Sequence, residues 1–139
     1  MFEPKSLRPL AVVFFLSGLW DLFATFVYAF LMGTVIMEPP IDRFNAIFIA
    51  TFLFSLAYLQ ILSSFNIRRY LLIIGGVFIG RILYVILLYA YILGIPGFPG
   101  RLWWTGLVDL AFSVLYLGIT WRNPEIHIRD LFLPQKGGT

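Results

Sequence analysis

The sequence predicts an all-α integral membrane protein, with four transmembrane helices in an up-down-up-down bundle. Three observations predict it. Of the 139 residues, 60% are hydrophobic and 12% charged, half the ~25% charged share of a soluble domain, and the mean hydropathy is +0.91. Four apolar runs reach the ~20 residues that a helix needs to cross hydrocarbon. Lys and Arg gather on alternate connections rather than evenly. At ~150 residues per domain the length allows one domain. This composition excludes a disordered chain, a collagen-like repeat and an ordinary soluble enzyme.

The first span covers residues 10–33. Its apolar run exceeds the ~7–15 residues of a cleavable signal, and no small-residue cleavage site follows, so it reads as a retained signal anchor. Residues 37–43, with Pro39, Pro40, Glu38, Asp42 and Arg43, separate it from a second span at 45–63. The short basic segment 64–69 leads into a third span at 70–93. Residues 94–100 are Gly and Pro turn chemistry, which ends a helix, and the fourth span covers 102–121. Residues 122–139 form a C-terminal tail in which Ile126, Ile128, Leu131 and Phe132 alternate with charges. The tail reads as a cytoplasmic or interfacial segment, the other reading being a docking element for a partner.

Direction follows from the cations. Lys5, Arg8, Arg68, Arg69, Arg122, Arg129 and Lys136 lie at the N-terminus, second connection and tail, against Arg43 and Arg101 on the other side. The positive-inside bias then places both termini in the cytoplasm. Trp103, Trp104 and Trp121 fall at span ends, where indole favours the headgroup region. These basic residues read as topology signals and headgroup contacts, so no nucleic-acid partner is implied. The chain has no Cys and one His, His127 near the polar C-terminus. Disulfides, thiol chemistry, haem and zinc ligation in the spans are thereby excluded, and no metal or cofactor is expected.

Three residues contradict their apolar surroundings: Asp21, Arg81 and Asp109. A mid-bilayer charge costs at least ~2.5–3.5 kcal/mol, so each needs a partner or a wet cavity. Asp21 lies 11 residues after Leu10, Arg81 11 after Tyr70, and Asp109 12 before Trp121. At helical rise all three stand about 16–18 Å from the cytoplasmic boundary. Arg81 is therefore expected between the two aspartates, paired with at least one.

Polar residues recur on helical stripes around that layer. Ser17, Asp21, Thr25 and Tyr28 share the spacing of Thr105, Asp109, Ser113 and Tyr116; Thr51, Ser55 and Tyr58 repeat its last three members, and the third span offers Tyr84 and Tyr91. Stripes on every helix are expected to face one another. The alternative for Thr25, Ser55 and Ser113 is a bond back to their own helix carbonyls. Gly18 and Gly106, each three residues before an Asp, would admit a neighbouring helix closely, as would the small-xxx-small stretch Gly76–Gly80. Gln60, near the end of its span, reads as a solvated end residue.

One Arg and two Asp leave a formal charge of −1. Either one carboxyl carries a proton or a cation sits beside it; the structural alternative is an ion pair that only fixes helix register. The expected site is Asp21, Arg81, Asp109, Thr25, Tyr28, Tyr84, Ser113 and Tyr116. In it Arg81 is the counter-ion, the less tightly paired aspartate takes a proton or cation, and Tyr28, Tyr84 and Tyr116 line a cavity. The favoured function is binding or transport of a small apolar or cationic ligand or of protons, within the lipid bilayer and with a homodimer partner if access alternates. One alternative is a non-catalytic subunit or assembly factor of a membrane complex. Another is an intramembrane enzyme using Asp21 or Asp109 as acid/base on a lipid-like substrate. Against catalysis, no nucleophile–His arrangement, metal-ligand set or phosphate loop is present.

Overall fold

A computed structural model describes residues 5–31, 43–98 and 100–134. The expected first connection, residues 37–42, the end of the first span and Lys136 lie outside the described residues. Four α-helices carry the fold: α1 (Arg8–Phe30), α2 (Arg43–Ser64), α3 (Leu71–Gly94) and α4 (Trp103–Arg122). Each is long and apolar enough to cross a membrane, and only 28–33% of each span's most apolar window is buried. Large apolar side chains on all four helices are exposed, among them Phe23, Phe48, Ile79 and Val114, as on a surface that meets another apolar phase.

The turns are set by local chemistry. Asn66 caps a 3₁₀ turn at Ile67–Tyr70 by accepting from the Arg69 N–H at 3.3 Å, and α3 follows directly. α3 stops at Gly94, where Pro96 cannot continue it, and Gly97 supplies the one left-handed backbone position among the described residues, φ 82°. Asn123 and Pro124 end α4.

Packing is uneven. α1 lies most extensively against α2, and α3 against α4, with thinner α1–α4 and α2–α3 contacts. The inner face of α2 is made small by Ala46, Ala50 and Ala57, which lets backbones approach. Between α3 and α4 the contacts pair in opposite chain order: Arg81 with Asp109, Tyr84 with Thr105, and Tyr89 with Trp103. The main apolar core, including Leu7, Leu10, Phe14, Ile67, Ile74 and Tyr116, fills the half of the molecule nearest the basic connection.

The tail packs onto the helices. Ile126 and Leu131 are fully buried, and Phe132 packs edge-on against Phe78 of α3. Glu125 accepts hydrogen bonds from Arg68 and Ser6, and Asn123 donates to the Ser6 carbonyl at 2.8 Å. A 3₁₀ turn at Ile128–Leu131 is closed by Asp130, which accepts from the His127 N–H at 2.9 Å. Residues 123–132 thus staple the N-terminus, the second connection and α3 together. The physical reason is Gly75: its missing side chain lets the Leu131 backbone lie directly on α3.

Candidate functional site

Half way along the bundle, three helices deliver charges to one point. Arg81 on α3 reaches between Asp21 on α1 and Asp109 on α4, all three buried. Its Nη2 lies 3.0 Å from both oxygens of Asp21 and donates to Ser17 Oγ at 2.7 Å. Its Nη1 donates to Asp109 Oδ1. The guanidinium also sits 5.2 Å from the Phe112 ring centre, an attractive cation–π placement. A planar fork with donors on both sides is what lets one Arg serve two carboxylates at once. The depth argument from sequence thus brings the expected three together.

The remaining helix, α2, contributes what the sequence reading missed. Gln60 is fully buried rather than solvated. Its amide N–H donates to Asp21 Oδ2, and its carbonyl accepts from Ser17 Oγ at 2.5 Å. Gly18 makes this reach possible: a side chain there would come within 2.8 Å of Ile61 and 3.2 Å of the Ala57 carbonyl. α2 therefore presses on α1 at this level, and the long Gln60 side chain spans the remaining gap. Gly106 plays the matching part in α4, where a Cβ would lie 3.0 Å from Leu88 and Tyr89. Gly76 and Gly80, in contrast, face open space; the close approach on α3 occurs at Gly75 instead.

The expected polar stripes divide. Thr25 and Ser113 donate at 2.8 Å to the carbonyls of Asp21 and Asp109, so their hydroxyls serve their own helices. Thr51 and Ser55 do the same with Ile47 and Thr51. Together with the 56% exposed Tyr58, they face outward, which corrects the expectation that all four stripes meet. Tyr91 is also outward and packs on Phe98. Tyr84 is partly exposed and shares a 2.9 Å hydrogen bond with Thr105, while Tyr28 is half-buried. Tyr116 is fully buried, with its hydroxyl facing Ser17 and Arg81.

The two aspartates are not equivalent. Asp21 uses both oxygens, taking donors from Arg81 and Gln60. Asp109 accepts on Oδ1 alone; its second oxygen takes no hydrogen bond among the described residues, and its side chain is the more exposed, 12% against 7%. Two cavities, an apolar one of about 140 Å³ beside Phe15 and Phe65 and a cleft of about 370 Å³ beside Ser6 and Asn123, are not lined by Asp21, Arg81 or Asp109. Among the described residues no three His, Cys, Asp or Glu side chains gather as metal ligands. Comparison with protein-family models, curated proteins and solved structures gives no match for this chain.

Proposed function

We propose that the protein is a multi-pass membrane protein in which Asp109 binds and releases a proton beside a fixed Arg81–Asp21 pair. The reading rests above all on the unequal carboxylates. A buried cluster with formal charge −1 is unfavourable in low dielectric, and the free oxygen of Asp109 is where a proton removes that charge without breaking an existing bond. Asp21, bonded on both oxygens, holds Arg81 in place. Arg81 in turn stabilises Asp109 when it is ionised.

In this reading the helices run up-down-up-down with both termini cytoplasmic. The opposite order of the α3–α4 contacts supports antiparallel neighbours, and the Lys and Arg distribution supports the direction. Partly exposed Tyr84 and Thr105 then mark the approach to Asp109 from the opposite side of the membrane.

Proton passage is tested in proteoliposomes with an imposed pH gradient and an enclosed pH-sensitive dye. The wild-type protein should collapse the gradient faster than protein-free vesicles. Asp109→Asn, which keeps the Arg81 contact through its carbonyl oxygen, should fall to the protein-free rate. Equal rates in wild type and a folded Asp109→Asn would contradict the reading.

A further inference from the structure

Four hydroxyls on the helices, Thr25, Thr51, Ser55 and Ser113, bond back to the carbonyl four residues earlier. Thr120 does not. It is 1% exposed, and its Oγ1 has no hydrogen-bond partner among the described residues. Arg81 Nε, on a residue 6% exposed, is likewise without a partner among the described residues, and the Tyr116 hydroxyl, on a residue 0% exposed, lies beside Ser17 and Arg81 without a hydrogen bond of normal geometry. Leaving a buried polar atom without a partner is costly, so native proteins satisfy such atoms, commonly with ordered water.

Their arrangement is linear. Asp109, Ser113, Tyr116 and Thr120 are spaced i, i+4, i+7, i+11, one inward stripe of α4. Helical side chains lean toward the N-terminus, which carries the Tyr116 hydroxyl up to the level of Ser17 and Arg81. Thr120 lies one turn beyond Tyr116, toward the basic end. Its carbonyl accepts from the Asn123 N–H at 3.1 Å, and Asn123 and Ser6 line the open cleft of about 370 Å³. The unpartnered atoms therefore lie in line from the carboxylate cluster toward an opening at the basic end, where Ser6, Arg122 and Asn123 stand among Pro9, Ile119 and Pro124.

We propose that internal water, held at Tyr116 Oη and Arg81 Nε and again at Thr120 Oγ1, joins the cluster to the Ser6–Asn123 cleft and carries protons to Asp109. This rests on the reading of Asp109 as a proton site. A proton enters the water nearest the cleft; each water accepts one proton and passes on another. The Tyr116 hydroxyl does the same and stays neutral, and Asp109 gains one O–H bond. Release runs the chain in reverse. No group other than Asp109 changes its proton count.

X-ray radiolysis of the full-length protein in nanodiscs tests for the water directly, because hydroxyl radicals formed from bound water oxidise the side chains beside it. After normalising for intrinsic reactivity, Tyr116 should be modified at least several-fold faster than the equally buried Ile74. Modification no faster than that of Ile74 would overturn the proposal. In the proteoliposome assay Thr120→Val should slow proton passage several-fold and Thr120→Ser should restore it, with Asp109 intact. Wild-type passage in Thr120→Val would overturn the route, whereas failure of the Asp109 reading shows separately as unchanged passage in Asp109→Asn.

Discussion

Arg81→Ala is expected to destabilise the protein by about 3–5 kcal/mol, the usual cost of removing one partner from a buried ion pair. The loss is large because the guanidinium serves five acceptors: both oxygens of Asp21, one of Asp109, and the hydroxyl and carbonyl of Ser17. Without it two buried carboxylates face each other with no cation between them. Combining Arg81→Leu with Asp109→Leu should cost less, since only Asp21 is stranded and Gln60 still donates to it. Adding Asp21→Asn should recover more. Thermal unfolding in one detergent orders the three variants. Equal damage from Arg81→Ala and the Arg81→Leu/Asp109→Leu pair would mean that the charges do not depend on one another.

Gly75→Ala should release the tail. The new methyl would meet the Leu131 carbonyl, part of the backbone, which no rotamer change can move aside. Overpacking of this kind costs about 1–3 kcal/mol, and each ~1.4 kcal/mol is a factor of ten in the open population. Trypsin cleavage at Arg129 tracks that population when opening is fast, so it should accelerate by roughly 5- to 100-fold. Gly76→Ala is the internal control. That position faces open space, and the change should leave cleavage at the wild-type rate. Similar rates in both variants would remove Gly75 as the seat of tail docking.

The helical fold class and the meeting of Asp21, Arg81 and Asp109 were legible because hydrocarbon makes charge expensive and helical rise converts sequence position into depth. Gln60 was not. Its distance from the end of α2 suggested a solvated residue, but the end of a helix need not coincide with the end of its neighbour, and Gly18 draws α2 inward at Ala57 and Gln60. Thr51 and Ser55 misled for another reason. A hydroxyl bonded to its own helix carbonyl can face apolar surroundings at small cost, so a polar stripe does not by itself point inward. The tail was illegible because its docking depends on one absent Cβ, and Gly75 stands beside a more conspicuous Gly76–Gly80 spacing that packs against nothing. The difference between the two aspartates also required geometry, since both follow a glycine at the same interval.

The central claim is that Asp109 carries an exchangeable proton while Asp21 remains bound to Arg81. Infrared difference spectroscopy between two pH values, on the protein in lipid, observes this directly through the carbonyl stretch of a protonated carboxyl group. The wild-type protein should give a band that shifts in heavy water, disappears in Asp109→Asn and persists in Asp21→Asn. A wild-type spectrum with no such band, or a band lost only in Asp21→Asn, would contradict it.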